Sequence, residues 1–219
     1  MKIIKIADGC LSKAQLAEVV NVLKNDGVIV YPTDTVYGLG GSAMSPVAVD
    51  KIIRLKERLS KDVFSVMVDS IDTIKKYAQV GLFEEEFLKK YLPGPVTVVL
   101  KLKEEFLFNK RLVPEVINID GATGWRVVNT FDFLPKLCRQ FGLPIVSTSA
   151  NKSKQGKYES NIEFVLDQFR HNLKEIDIIL DAGLMRNNLP STVVDLSKSP
   201  YLVLRRGAED ISDLDLNKQ

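Results

Sequence analysis

"VIVYPTDTVYGLGG", residues 28–41, runs a strand-forming segment straight into a polar turn. Val28, Ile29, Val30 and Tyr31 favour an extended, buried backbone, and Pro32 ends the run because it has no N–H to donate. Thr33 and Thr35 then place hydroxyls on either side of the Asp34 carboxylate, and Tyr37 is followed by Gly38, Gly40 and Gly41. Hydroxyls, a carboxylate and bare backbone at the end of a buried strand make a candidate ligand site, with the glycines expected to let the chain turn close to the ligand.

The flanking sequence sets this stretch in an α/β chain. "KIIKI" (2–6) reads as a strand and "LSKAQLAEVVNVLKNDG" (11–27) as a helix. Ser12 and Gln15 form its capping box, Leu16, Val19, Val20 and Leu23 recur at helical spacing, and Gly27 is the expected left-handed terminator. A second helix is predicted from Ser45-Pro46 through Val49, Ile52 and Ile53 to Lys56. Beyond it, "VFSVMV" (63–68), "VTVVLKL" (96–102), "WRVV" (125–128), "LPIVSTS" (143–149), "DIILDAG" (177–183), "STVVDLS" (191–197) and "YLVLRR" (201–206) read as strands. "FDFLPKLCRQF" (131–141) and "NIEFVLDQFRHNL" (161–173) read as helices between them. This order predicts one α/β domain over residues 1–208, its mixed sheet covered by helices, followed by an acidic, frayed tail over 209–219.

Composition removes several function classes. With 45% apolar and 26% charged residues the chain suits a soluble globular protein. No apolar run reaches the ~18 residues that span a bilayer, and "MKIIKIADGC" is too quickly polar for a signal peptide. A cytoplasmic protein without a membrane partner is expected, with Cys10 and Cys138 as reduced thiols. Thirty Lys and Arg against 28 Asp and Glu is too even a balance to announce nucleic acid by net charge. The single histidine, His171, lies in polar surroundings and reads as a surface residue, which disfavours a Ser-His-Asp triad or a multi-histidine metal site. Neither a Walker phosphate loop nor the dinucleotide fingerprint is present.

What remains is hydroxyls and cations at strand ends. "RLKERLSK" (54–61) carries Arg54, Lys56, Arg58 and Lys61 where the helical pattern fails, either as a solvated helix end or as a phosphate clamp. "STSAN" (147–151) lifts Ser147, Ser149 and Asn151 out of an apolar strand. "PSTVVDL" (190–196) brings Ser191 and Thr192 into another strand, and "LRRGA" (204–208) ends one on Arg205, Arg206 and Gly207.

The order "YPTDTVYGLG", Lys-x-Arg, "PGPVTVVL", "GWR", "STSAN", "PSTVVDL", "LRRGA" resembles the YrdC-like family of threonylcarbamoyl-AMP synthases, from about residue 12 to about residue 208. The resemblance implies a twisted mixed sheet with a concave site. It also implies a nucleotidyltransferase reaction in which L-threonine, bicarbonate and ATP give threonylcarbamoyl-adenylate and pyrophosphate, Mg2+ being held mainly by the ATP phosphates. A tRNA threonylcarbamoyl-transferring protein would then use the product. By position, Lys56 and Arg58 are the catalytic phosphate clamp; Ser149, Asn151 and Arg205 join them on ATP; Thr35, Ser147, Ser191 and Arg126 take threonine, with Thr33 and Tyr37 beside them. The chain departs from the family pattern at Leu59, at Val127-Val128 after Arg126, at Ser153-Lys154, at Arg206 and at Met67. Two further readings stand beside the synthase. One is a YrdC-type module that binds tRNA or double-stranded RNA, drawing on Lys152, Lys154 and Lys157. The other is a paralogue that handles a different carbamoyl or acyl substrate.

Overall fold

The computed structural model describes residues 1–6, 8–57, 63–108, 112–152, 161–185 and 189–212. Its strands are β1 (Lys2–Lys5), β2 (Ile29–Tyr31), β3 (Gly38–Gly40), β4 (Ser65–Val68), β5 (Val96–Lys101), β6 (Ala122–Val127), β7 (Ile145–Ser149), β8 (Ile178–Asp181), β9 (Thr192–Asp195) and β10 (Leu202–Arg205). The helices are α1 (Lys13–Lys24), α2 (Pro46–Lys56), α3 (Ile71–Tyr77), α4 (Leu82–Tyr91), α5 (Glu104–Phe108), α6 (Phe133–Phe141) and α7 (Ile162–Gln168). The strands form one mixed sheet in the order β1-β8-β2-β3-β7-β4-β6-β5-β9-β10.

Strand alternation sends successive side chains to opposite faces, and the two faces are covered unequally. Val28, Val30, Leu39, Val66, Val98, Trp125, Val146, Ile179 and Val194 belong to the larger core, together with Val49, Ile52 and Leu55 of α2, Ile74 of α3, Phe87 and Leu88 of α4, and Val165 of α7. On the other face Ile4, Ile29, Tyr31, Met67, Ile145, Ile178 and Leu180 pack with Leu16, Val19 and Leu23 of α1 and Phe133, Leu137 and Cys138 of α6. That second cluster stops partway across the sheet. The rest of this face, carrying Ser65, Thr97, Val99, Gly124, Arg126, Ser147 and Ser149, lines a cleft.

Local sequence explains most helix ends. Ser12 and Gln15 form the expected capping box on α1. Ser45 caps α2 through Ala48 N–H, with Pro46 in its first turn. One expectation is corrected: the left-handed residue after α1 is Asp26 (φ 59), not Gly27. Gly27 is needed for closeness instead, since a Cβ there would stand 2.3 Å from Val22 Cγ1. The 38–41 glycines also act differently from the expected turn. Gly38–Gly40 is strand β3, paired antiparallel with both β2 and β7, and a Cβ on Gly40 would lie 2.4 Å from the Val146 carbonyl oxygen. Helices α3 and α4 were not read from the sequence, although Ser70 caps the first. The second carries Glu84 and Glu85 in its first turn and Lys89 and Lys90 in its last, as the helix dipole favours.

Both cysteines are free, and among the described residues no helix is long and apolar enough to cross a membrane. Thr192 Oγ1 donates to Glu209 O, and Ile211 is buried in the larger core.

Candidate active site

The cleft has a volume of about 360 Å³ and opens over the uncovered part of the sheet face. Gly124 keeps its floor flat, because a Cβ there would press on Ser65 Cβ and Thr97 Cγ2, both at 3.1 Å. Thr33, Thr35, Tyr37, Arg126, Ser147, Ser149, Ser191 and Arg205 all line it. Residues far apart in the chain are thus gathered by strand register, with Ser65 opposite Ser147 and Thr97 opposite Val193.

The opening stretch forms one wall. Thr33 Oγ1 donates to the Val36 carbonyl at 2.7 Å, accepts from Thr35 N–H, and lies 3.0 Å from Thr35 Oγ1. Thr33 therefore builds the turn that presents Thr35. Tyr37 donates its hydroxyl to the Gly183 carbonyl and accepts from Ala182 N–H, and burial pushes its phenol up to about 12. Asp34 meets Arg126: Nη2 donates to Oδ1 at 2.5 Å, and both side chains are about nine-tenths buried. Arg126 Nε and Asp34 Oδ2 have no hydrogen-bond partner. The pair is made through one bond, with one buried polar atom unpartnered on each side.

The second wall is the end of β7. Ser149 Oγ donates to Asn151 Oδ1 at 2.6 Å. Lys56 is only 4% exposed, and its Nζ donates to the Ser149 carbonyl at 2.7 Å and the Asn151 carbonyl at 2.8 Å. The solvated-helix-end reading of Lys56 is therefore corrected, because the left-handed Glu57 that ends α2 leaves the lysine buried against this turn. Arg58, Leu59, Lys61, Ser153, Lys154 and Lys157 lie outside the described residues. Lys152 pairs with Glu57.

Across the cleft, Ser191 Oγ is 2.8 Å from Thr97 Oγ1. Arg205 donates to the Ser191 hydroxyl and carbonyl through Nη2 and Nε. Ser65 donates to the Ser147 carbonyl at 2.6 Å. Met67 and Val128 do not line the cleft; both are buried under α1 and α6. His171 is exposed and takes a hydrogen bond from Arg170. Among the described residues no group of three or more His, Cys, Asp or Glu side chains stands together to hold a metal ion. Ser65 and Thr97 escaped the sequence reading, because they sit within ordinary apolar strands; Asp34 stood in the candidate site as its carboxylate, but its pairing with Arg126 was not foreseen.

The Sua5/YciO/YrdC family, described as telomere recombination, matches residues 21–207. The chain belongs to this family. It is 28% identical to a threonylcarbamoyl-AMP synthase of Psychromonas ingrahamii, an alignment covering 88% of this chain and 97% of that one. Its structure is similar to P. abyssi Sua5 complexed with L-threonine, with a TM-score of 0.84 and 25% identity over 97% of this chain and 59% of that one. It is similar too to E. coli YciO, with a TM-score of 0.83 and 25% identity over 96% and 98% of the two chains. The Sua5/YciO/YrdC fold thus accounts for nearly all of this chain, which spans less than two thirds of the P. abyssi protein.

Proposed function

We propose that this chain is a threonylcarbamoyl-AMP synthase, a nucleotidyltransferase acting on L-threonine, bicarbonate and ATP. The observation that carries the reading is Arg126, a residue only 6% exposed that lines a cleft rich in hydroxyls. A guanidinium that lines the cleft suits a substrate carboxylate, and the surrounding hydroxyls suit a small polar side chain. The related P. abyssi Sua5, which was solved with L-threonine, supports the same choice.

The chemistry has two steps. The threonine amine adds to the bicarbonate carbon and water leaves, giving a carbamate. A carbamate oxygen then attacks the α-phosphorus of ATP, the bond from that phosphorus to the bridging oxygen breaks, and pyrophosphate departs with the electron pair. In-line displacement of this kind asks for alignment and charge neutralisation more than for a protein base. Arg126 takes the threonine carboxylate, with Thr35, Ser147 and Ser191 around the rest of the amino acid. Ser149, Asn151 and Arg205 face the nucleotide. Lys56 acts through the turn that it holds, bringing a positive charge beneath the phosphates, and Arg58 is assigned to the phosphates by its motif alone. Magnesium belongs to the ATP substrate, held mainly by its phosphates, and no step is routed through it. The adenylate is a mixed anhydride, so it needs a tRNA-modifying protein that transfers the threonylcarbamoyl group to adenosine.

The test is amino-acid-dependent pyrophosphate release from ATP with bicarbonate and a panel of amino acids. Threonine should stand above serine and valine. Equal release with all of them, or none with any, overturns the reading.

A further inference from the structure

We propose that Asp34 is a positioning residue that makes the amino-acid end of the cleft selective for a zwitterion over a simple anion. This rests on the amino-acid-binding reading above. Arg126 lines the cleft while Asp34 does not, so Asp34 stands behind the guanidinium and acts through it. The Thr33 hydroxyl ties down the turn on both sides of Asp34, at Thr35 N–H and at the Val36 carbonyl.

Charge counting gives the consequence. An uncompensated guanidinium is costly where Arg126 sits, and Asp34 neutralises it in the empty site. A free α-amino acid brings one negative and one positive group, so the filled site remains neutral. A simple carboxylate of the same shape brings only the negative group and leaves two carboxylates around one guanidinium, a net charge of −1 in a poorly solvated place. The cleft-lining guanidinium of Arg126 can donate to either ligand's carboxylate; Asp34 supplies the discrimination. Arg126 Nε and Asp34 Oδ2 are both buried away from the cleft, so a ligand meets the face of the guanidinium that lines the cleft, and Asp34 acts from behind it.

The experiment compares L-threonine with 3-hydroxybutyrate, which is threonine without its amino group, by calorimetric titration against wild-type protein, Asp34→Asn and Asp34→Glu. Wild type should favour threonine by about tenfold or more. Asp34→Asn leaves the site with a net positive charge, so it should bind 3-hydroxybutyrate more tightly than wild type does and threonine no better, collapsing the ratio. Asp34→Glu should restore the preference. A purely structural Asp34 would weaken both ligands together, and that result, or an unchanged ratio in a folded Asp34→Asn protein, overturns the proposal. If wild type binds no amino acid, the threonine reading falls. The preference for a zwitterion then falls with it, and the anion arm separately decides whether Asp34 repels a carboxylate: a gain in 3-hydroxybutyrate affinity in Asp34→Asn supports that repulsion, and no gain overturns it.

Discussion

Replacing Lys56 with Met tests whether this lysine is a clamp on the ligand or a fastening of the protein's own turn. The stem of the side chain is buried, and methionine retains most of its volume. What disappears is the ammonium, together with its bonds to the Ser149 and Asn151 carbonyls at 2.7 and 2.8 Å. Hydrogen bonds from a charged donor contribute about 1.5–3 kcal/mol each. Relief from burying an ammonium offsets part of the sum, leaving a net loss of about 2–4 kcal/mol. For a chain of this size that corresponds to a fall in Tm of about 5–15 °C. ATP affinity should fall in the folded protein as well, since Ser149 lines the cleft on the same turn. Thermal melts and calorimetric ATP titrations on one preparation measure both effects, with the exposed Arg54, which pairs with Asp50 and Glu175, replaced by Ala as the control. If Lys56→Met melts as wild type but loses ATP, the amine serves the phosphates directly and the turn-fastening argument is wrong.

Gly40→Ala forces a methyl to within 2.4 Å of a backbone oxygen in the neighbouring strand, so its urea midpoint should fall by the equivalent of about 1–3 kcal/mol; an unchanged midpoint would mean that β3 shifts freely. Thr35→Val keeps the shape of the wall and deletes one hydroxyl, so KM for threonine should rise about three- to tenfold while KM for ATP holds, and parallel rises in both would reassign Thr35 to the fold. Burial raises the folded-state pKa of Tyr37 from 10.0 to about 12. The neutral phenol is therefore the form that the folded state favours, and its stabilisation is complete below pH 10 and lost as pH climbs from 10 through 12. Denaturation midpoints over that range should decline less steeply for Tyr37→Phe than for wild type, and identical slopes would refute the assignment.

The sequence by itself determined much of the element order, the N-caps of α1 and α2, and many of the residues that line the cleft. These depend on neighbours in the chain: Ser12 reaches Gln15, Ser45 reaches Ala48, and alternation in "VIVY" assigns Val28 and Val30 to one face and Ile29 and Tyr31 to the other. Motif order was enough to name Thr35, Arg126, Ser147, Ser149, Ser191 and Arg205, which all reached the cleft. Tertiary structure alone decided three further matters. It made a strand of Gly38–Gly40, because the space between β2 and β7 admits only bare backbone at Gly38 and Gly40. It turned Lys56 inward, because two carbonyls almost a hundred positions along the chain needed a donor. It also joined Asp34 to Arg126 across 92 residues of sequence. An ion pair of that separation depends on which strands lie side by side, and strand order in a mixed sheet is set by long-range packing that local periodicity does not encode.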